Sequence, residues 1–217
     1  MPAVVSFDLD GTLVDTEYVN HVWLEAIPCI YASQHDVPLE KAKKYIIGEY
    51  EAVGQEALEW YDITYWLAVL DLDVSWQDLL SRHVNLLRPY PEVPGVVQRL
   101  HDSYNLIITS NAAREFIDIE MDALGFDTLF QHIFSAVSDF GRTKKHPDIY
   151  REICSRLDVA PGDITHVGDS SAFDYLAPRE VGITTFYLDR DGIDTGDHVV
   201  SDLQAFEHRL TQKKRQG

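Results

Sequence analysis

The chain has 217 residues, and a hydrophobic share of 45% is enough for an apolar core in one domain or two small ones. Its 36 acidic residues outnumber 18 basic ones, and the resulting net charge of −18 argues against a nucleic-acid partner. No stretch approaches the roughly 18 uninterrupted apolar residues that a membrane span needs, so no membrane partner is expected.

The start of the chain and its cysteines predict where the protein is found. The segment from Met1 to Val5 has no basic stretch of the kind that opens a signal or transit peptide. Cys29 and Cys154 lie far apart in the sequence and outside any spacing typical of metal ligands. Two reduced thiols are typical of a cytoplasmic protein, and that location is expected.

The first predicted element is a strand that ends in two aspartates. An apolar run from Val4 leads into Asp8 and Asp10, and Gly11 and Thr12 follow. Because alternate residues of an extended chain point to the same side, both carboxylates can face one site about 6 to 7 Å apart. Like charges so close predict a divalent metal, a perturbed pKa, or both. The alternative is an Asx-type turn in which Asp10 only caps Gly11 and Thr12.

A block without strand patterns follows, from about residue 17 to residue 88. The predicted helices are 18–33, 39–47, 49–70 with a break, and 76–87, and Pro38 and Ser75 stand where helices should begin. The block holds all four tryptophans. An all-helical insertion after such a strand end is typical of a lid, although aromatic residues at helical spacing alternatively form the block's own core.

The rest of the chain alternates between the two kinds of element. Three prolines within 88–95 mark the return from the helical block, and residues 15–17 lead into it. The predicted strands are 105–109, 132–137, 164–167 and 183–187, and the predicted helices are 96–101, 113–124, 147–157 and 173–180. This alternation predicts an α/β fold with a parallel sheet and right-handed crossovers. The acidic run 189–197 is predicted to be a loop.

Two further segments place groups that suit a phosphate at the same edge of the sheet. Ser110 and Asn111 follow a strand directly before a helix, where a hydroxyl and free backbone amides can hold an anion, or where they simply cap the helix. Lys144 precedes a helix that begins at Pro147, and its ammonium could neutralise a bound phosphate. The adjacent Lys145 alternatively belongs to a solvated run of charges.

The strand at 164–167 ends in a second acidic cluster. Asp169 and Asp174 supply hard oxygen ligands of the kind that Mg²⁺ prefers. His166 lies within the strand and is expected to be a packed side chain rather than a ligand. A carboxylate pair, a hydroxyl, a lysine and a second carboxylate pair therefore follow in order, each at a predicted strand end or loop on one edge of the sheet.

In this order the sequence resembles the haloacid dehalogenase superfamily, which consists mostly of phosphatases. The motifs that carry the resemblance are Asp8-Leu-Asp10-Gly-Thr12-Leu-Val-Asp15, Thr109-Ser110-Asn111, Lys144-Lys-His-Pro147-Asp148 and Gly168-Asp169-Ser-Ser-Ala-Phe-Asp174. The resemblance implies a Rossmann-like core of residues 1–16 and 89–217 with an inserted helical cap of residues 17–88. The interval between Asn111 and Lys144 is too short for the second kind of cap found in other branches.

The resemblance also implies a role for each acidic residue. Asp8 would be the nucleophile that forms an aspartyl-phosphate, and Asp10 the general acid and then the general base. Mg²⁺ would be held by Asp8, the backbone carbonyl of Asp10 and Asp169, with Asp174 in the inner or outer sphere. Asp174 follows Asp169 by five positions, which is one of two spacings found in such families.

The remaining implied roles concern the phosphate. Ser110 and Lys144 would hold the phosphoryl oxygens, and Gly11, Thr12 and Asn111 are further candidates for phosphate binding. Lys145 stands where relatives often have proline, so the choice between the two adjacent lysines stays open.

The expected function is Mg²⁺-dependent hydrolysis of a small phosphorylated metabolite, with the substrate and the oligomeric state left open. A sugar phosphomutase on the same core is one alternative, with His21 near the position of a cap residue in such enzymes. A non-catalytic protein that binds a phosphorylated metabolite is another. A haloacid dehalogenase would lack an acid at Asp10, and a phosphonate hydrolase would need a cap lysine, for which Lys41, Lys43 and Lys44 are candidates.

Overall fold

The computed structural model describes residues 3–216, with side chains up to residue 212. Residues 1, 2 and 217 lie outside the described residues. All three belong to the predicted core, and residues 1 and 2 also belong to the N-terminal segment. The described residues contain six strands: β1 (Val4–Phe7), β2 (Asn105–Ser110), β3 (His132–Ser135), β4 (Ile164–Gly168), β5 (Thr184–Leu188) and β6 (Val199–Val200). All pair in parallel in the order β3-β2-β1-β4-β5-β6, so the predicted α/β fold is confirmed.

The first strand lies in the middle of the sheet. Phe7 of β1 stands opposite Ile108 of β2 on one side and Val167 of β4 on the other. All four residues of β1 are buried, because helices cover both faces of a parallel sheet. The carboxyl ends of β1, β2 and β4 therefore lie side by side at one edge, and three of the predicted motifs begin there.

The segment after β1 is helical. It contains α1 (Glu17–His21), a π-helical segment (Val22–Ala26), α2 (Ile27–Gln34), α3 (Leu39–Val53), a 3-10 turn (Leu58–Tyr61), α4 (Ile63–Val69), α5 (Trp76–Ser81) and a second 3-10 turn (Val84–Leu86). Pro38 and Ser75 precede α3 and α5 as predicted, and the Ser75 hydroxyl accepts a hydrogen bond from the Asp78 N–H over 3.1 Å. The predicted helix 39–47 continues to Val53 instead. The break that was predicted within 49–70 lies between Val53 and α4, where the Asp62 carboxylate caps the new helix.

The two linkers of this helical block run side by side. The Asp15 N–H donates to the Arg88 carbonyl over 3.0 Å, and the Tyr90 N–H donates to the Leu13 carbonyl over 3.1 Å. The chain therefore enters and leaves the block at one place. Among the described residues, no helix combines the length and the apolar character that crossing a bilayer requires.

The helices that cover the sheet are α6 (Val93–His101), α7 (Arg114–Leu124), α8 (Ala136–Phe140), α9 (Pro147–Leu157), a 3-10 turn (Pro161–Asp163), a π-helical segment (Ser171–Leu176), α10 (Ala177–Val181) and α11 (Leu203–Gln216). The predicted strand 132–137 ends two residues early. The Ser135 hydroxyl accepts a hydrogen bond from the Ser138 N–H over 2.9 Å, and this cap starts α8.

The C-terminal part contains two elements that the sequence analysis did not predict, β6 and α11. A strand of two residues gives no alternating pattern to detect. In α11, Leu203, Phe206 and Leu210 are buried at helical spacing, and Phe206 packs edge-on against Phe7 at a ring distance of 5.8 Å. This helix therefore belongs to the core, although its outer face is strongly polar.

Candidate active site at the carboxyl ends of the strands

Asp8 directly follows β1 and is almost completely buried. Its N–H donates to the Val167 carbonyl on β4 over 3.0 Å, which fixes the backbone beside the neighbouring strand. Its carboxylate accepts a hydrogen bond from the Thr12 hydroxyl over 3.3 Å and contacts the Lys145 ammonium. Burial raises the pKa of the Asp8 carboxyl well above its ordinary value, and the attraction of Lys145 does not offset it.

Asp10 has a carboxylate oxygen without a partner. Its Oδ1 is cut off from solvent and accepts no hydrogen bond within the described part of the chain. The turn is closed by backbone groups, with the Thr12 N–H donating to the Leu9 carbonyl over 3.1 Å, and not by an Asp10 side-chain cap. Burial, followed by repulsion from Asp169, raises the pKa of Asp10 to about 7. This side chain can therefore give and take a proton near neutral pH.

The turn after Asp10 is held from two sides. Gly11 has a φ of +80°, and a Cβ at this position would collide with the Asp169 carboxylate. Arg190, in the loop after β5, donates to the Thr12 carbonyl over 2.8 Å and pairs with Glu92 over 2.8 Å. Arg190 was not predicted as a site residue, and its one signal in the sequence is that it is a lone basic residue in the acidic run.

The two adjacent lysines take different positions. Lys145 borders the cavity described below, whereas Lys144, the lysine that was expected to hold the phosphate, does not. Lys145 is fully buried, donates to the Thr109 carbonyl over 3.0 Å and pairs with the Asp174 carboxylate over 2.6 Å. Lys144 instead places its ammonium 5.3 Å from the centre of the Tyr61 ring. The Asn111 side chain accepts a hydrogen bond from the Lys145 N–H over 2.9 Å, and this contact orients the loop.

Ser110 ends β2 and is buried, with its hydroxyl oxygen accepting a hydrogen bond from the Ala112 N–H over 3.0 Å. This contact uses the oxygen and leaves the hydroxyl proton free to be donated. Ser110 also borders the cavity described below, so the capping contact and a contact with a ligand are compatible.

Three carboxylates form a candidate cation site. Oxygens of Asp8, Asp169 and Asp174 all lie within 4.8 Å of one another. If all three carboxylates are ionised, the ammonium of Lys145 offsets one of their charges. The remaining two negative charges would be balanced by one divalent cation. An all-oxygen ligand set suits Mg²⁺, so the residues present fit this ion. The side chain of Asp10 is outside the cluster, and only its backbone carbonyl was expected to bind metal.

Asp174 is fixed by a buried network of polar groups. It accepts hydrogen bonds from the Ser170 N–H over 3.0 Å and from His166 Nε2 over 3.0 Å. Burial raises the pKa of Asp174, but Lys145 and His166 outweigh it and hold that pKa at about 2. His166 Nδ1 lies 2.8 Å from the Ser6 hydroxyl, so His166 is a packed side chain, as expected, that also orients a carboxylate.

Glu120 was missed by the sequence analysis. It is fully buried on α7, and neither carboxyl oxygen has a hydrogen-bond partner among the described residues. Burial, and then the charges of Asp10 and Asp8, raise the pKa of Glu120 well above its ordinary value. The signal was its position on the apolar face that Phe116 and Met121 define.

These groups border a cavity of about 490 Å³. Its sheet side includes the predicted residues Asp8, Asp10, Ser110, Asn111, Asp169 and Asp174, together with Lys145. Gly11, Thr12 and Lys144 do not border it. On its other side are residues of the helical block: Val19, Asn20, Trp23, Leu24, Ile47, Tyr50, Glu51, Trp60 and Tyr61. The cavity therefore lies between the strand ends and the helical block.

The geometry agrees with what comparison with known proteins finds. The family of haloacid dehalogenase-like hydrolases matches residues 2–182. The chain belongs to this family. The predicted resemblance is confirmed, and this haloacid dehalogenase-like hydrolase is an enzyme, as expected.

The family relatives differ in the activities for which they are named. The GMP/IMP nucleotidase YrfG of Escherichia coli (strain K12) is 23% identical over 77% of this chain and 74% of its own length. A glyceraldehyde 3-phosphate phosphatase of Pyrococcus furiosus is 27% identical over 92% of this chain and 89% of its own. The crystal structure of a HAD phosphatase from Thermococcus onnurineus has a TM-score of 0.81 and 25% identity, covering 97% of this chain and 98% of that one.

A dehalogenase has the same fold. The 2-haloacid dehalogenase of Pseudomonas syringae pv. Tomato DC3000 has a TM-score of 0.70 and 19% identity, covering 98% of this chain and 100% of that one. At this identity the likeness concerns the fold alone, so the chemistry has to be argued from the site.

Proposed function

We propose that this hydrolase is a Mg²⁺-dependent phosphatase that acts on a small phosphate monoester through an aspartyl-phosphate on Asp8. One observation carries the proposal: Asp8 and Asp174 share the buried ammonium of Lys145. Beside them, Asp10 keeps an oxygen without a partner. A nucleophile, a cation and a proton carrier are what phosphoryl transfer requires. Relatives named as phosphatases further support the proposal.

In the first step, a carboxylate oxygen of Asp8 bonds to phosphorus while the bond from phosphorus to the alcohol oxygen breaks. Asp10, protonated below its pKa of about 7, gives its proton to the leaving oxygen. Because an alkoxide is a poor leaving group, this proton transfer is what allows an unactivated ester to react.

In the second step, water attacks the phosphorus of the aspartyl-phosphate and the bond to Asp8 breaks. Asp10, now a carboxylate, accepts a proton from that water, so both aspartates return to their starting states. The Ser110 hydroxyl and the Lys145 ammonium hold phosphoryl oxygens in both steps. Lys145 here replaces the Lys144 of the sequence expectation, because its ammonium is the one that borders the cavity.

The ion would be held by Asp8, Asp169 and the backbone carbonyl of Asp10, with Asp174 in the inner or outer sphere. When bound, Mg²⁺ supplies positive charge that neutralises the phosphoryl oxygens. Lys145 complements it by offsetting repulsion between Asp8 and Asp174.

No observation favours the alternatives. His21, the candidate for a phosphomutase, packs against His83 at a ring distance of 4.7 Å and does not border the cavity. Of the lysines considered for a phosphonate hydrolase, Lys43 pairs with Glu25 over 2.6 Å, and Lys41 and Lys44 do not border the cavity. A non-catalytic binding protein would have no use for the unpaired Asp10 oxygen.

The domain division and the location remain predictions within this proposal. A core of residues 1–16 and 89–217 with a cap of residues 17–88 is supported by the pairing of the two linkers. Cys29 and Cys154 are both free thiols, as a cytoplasmic location requires.

The test is hydrolysis of p-nitrophenyl phosphate by the purified protein with Mg²⁺ and after chelation. Asp8→Asn should lower the turnover at least about a thousandfold, because an amide cannot act as the nucleophile. Asp122→Asn, at an exposed position of α7, is the matched control and should retain activity. Undiminished release by Asp8→Asn, or release without any metal dependence, would overturn the mechanism.

A further inference from the structure

We infer that the helical side of the cavity binds an uncharged planar ring. The substrate is then a phosphate monoester whose alcohol carries such a ring and no second anionic group. This inference rests on the proposed function and concerns the same site. It narrows the class of substrate, which the sequence analysis left open.

The size of the cavity leaves room for such a ring. Its volume is about 490 Å³, whereas a water molecule takes only about 30 Å³ of liquid volume and a phosphoryl group needs a small multiple of that. The two side chains proposed to hold the phosphoryl oxygens, Ser110 and Lys145, both come from the sheet side. Most of the volume therefore belongs to the alcohol part of the substrate, and its chemistry is set by the helical side.

The helical side is a continuous set of aromatic rings. Trp23 stacks on Phe116 of α7 with ring centres 5.5 Å apart and planes 27° apart. Tyr50 meets the edge of Trp23 at 5.8 Å, and Trp60 lies 6.2 Å from Tyr50. Each ring is fixed by the next, so this surface is formed before a ligand arrives and costs little entropy on binding.

Packing of the helical block alone does not account for these rings. Tyr50 and Phe116 are buried, as core residues are, but Trp23, Trp60 and Tyr61 remain half-buried and border the cavity. Trp66, by contrast, is 1% exposed, lies 4.5 Å from Tyr50 and does not border the cavity. The block therefore has an aromatic core and, separately, aromatic faces that are turned to the cavity.

The charges around the cavity disfavour a second anionic group. Among the bordering residues in the described part of the chain, Glu51 is the one charged side chain that the helical block supplies. Lys145 is already paired with two carboxylates, and Lys144 lies against the rings of Tyr61 and Phe173 outside the cavity. A carboxylate or second phosphate on the alcohol would meet no unpaired cation among the residues that border the cavity, and it would approach Glu51.

The experiment compares primary alkyl phosphates, because their leaving alcohols differ little in acidity. The three substrates are 2-phenylethyl phosphate, 2-(4-carboxyphenyl)ethyl phosphate and glycerol 1-phosphate. We expect kcat/KM for 2-phenylethyl phosphate to exceed each of the others at least about tenfold, which is the usual effect of one stacked or apolar group. A preference for glycerol 1-phosphate or for the carboxylated ester would overturn the inference.

Two variants assign the preference to residues. Trp60→Leu should lower the preference for the ring over glycerol 1-phosphate at least about fivefold. Trp76→Leu is the matched control, since Trp76 lies in the same block without bordering the cavity, and it should keep the preference. Glu51→Lys, at an exposed position, should raise kcat/KM for the carboxylated ester about tenfold and so remains informative if Trp60→Leu does not fold. Unchanged preferences in both Trp60→Leu and Glu51→Lys would overturn the inference.

Failure of the inference can be told apart from failure of the proposed function. If the Mg²⁺-loaded protein releases phosphate from these esters in a reaction that Asp8→Asn abolishes, but without preference for the ring, only the inference fails. If no ester reacts, the proposed function fails, and binding of 2-phenylethylphosphonate and 2-carboxyethylphosphonate, followed by tryptophan fluorescence, decides the inference by itself. About tenfold tighter binding of the phenyl compound supports it, and equal binding overturns it.

Discussion

The sheet side and the helical side of the cavity hold their side chains in different ways. On the sheet side, Asp8 and Asp174 are fixed by hydrogen bonds and charges at the ends of strands. On the helical side, Trp23 and Trp60 are fixed by ring contacts through Tyr50. In the proposed reaction, the polar side would set the distances between the reacting atoms, and the aromatic side would set the shape and charge of the substrates that can bind.

The difference teaches that chemistry and specificity can be changed separately in this enzyme. A substitution on the sheet side leaves a buried charge without its partner, which costs several kcal/mol. A substitution among the rings removes one apolar contact of the substrate. The first should change turnover by orders of magnitude, and the second should change the ratio between substrates.

After the loss of turnover in Asp8→Asn, the largest expected effect separates the two adjacent lysines. Lys145→Met leaves Asp8 and Asp174 without a cation, and we expect kcat/KM for p-nitrophenyl phosphate to fall about 10²- to 10³-fold, with a lower melting temperature. Lys144→Met, at the matched neighbouring position, should change kcat/KM less than about threefold, since it loses only a cation–π contact. A larger loss of kcat/KM in Lys144→Met than in Lys145→Met would show that Lys144, and not Lys145, contacts the substrate in the active enzyme.

A smaller effect should separate proton transfer from metal binding. Asp10→Asn removes the proton carrier but keeps the backbone carbonyl. We expect kcat for p-nitrophenyl phosphate, whose leaving group needs little protonation, to fall about 10²-fold, the lower end of what general acid–base catalysis contributes. Its affinity for Mg²⁺, measured by calorimetric titration, should stay within about threefold of the original, because the backbone carbonyl is retained. A tenfold change in this affinity would correspond to about 1.4 kcal/mol of binding free energy. A collapse of metal affinity would mean that the Asp10 carboxylate is a ligand.

The smallest effect concerns Glu120, whose helix joins the two sides. Its pKa is raised in the folded protein, so between the ordinary value of 4.5 and that raised value the folded state binds a proton that the unfolded state has lost. Stability from this group is therefore present at low pH and is lost as the pH rises. In Glu120→Gln the side chain at this position no longer titrates. Above pH 4.5, the free energy of unfolding of the variant should therefore decrease less with pH than that of the original protein, by at most about 1.4 kcal/mol per pH unit.

Urea unfolding of the metal-free protein at several pH values measures this slope. Glu115→Gln, a change of the same chemistry in the first turn of α7, is the control. An unchanged slope in Glu120→Gln would show that Glu120 is ionised in the folded state.

The sequence predicted the sheet side well because its signals are local. Asp8 and Asp10 stand two positions apart at a strand end, and Ser110 directly precedes the turn into α7, so short spacings sufficed. Lys145 was not chosen over Lys144 because the deciding contact, its N–H to the Asn111 side chain, joins residues 34 positions apart. That contact cannot be derived from the local pattern.

The helical side was not predictable in the same way. Trp23, Tyr50 and Phe116 meet only when α3, α7 and the π-helical segment are packed together, and no spacing in the sequence relates them. Glu120 was missed because a single carboxyl on an apolar helix face was not weighed against its neighbours. The two C-terminal elements were not predicted either, because β6 has only two residues and the outer surface of α11 is strongly polar.

The paired linkers have a consequence for how such a chain can change over time. The hydrogen bonds between Asp15 and Arg88 and between Leu13 and Tyr90 hold the two ends of the helical block together. The entropic cost of a loop grows only with the logarithm of its length once its ends meet. The block can therefore be lengthened, shortened or exchanged as a cassette while the path of the sheet, and the positions of Asp8 and Asp169, stay the same.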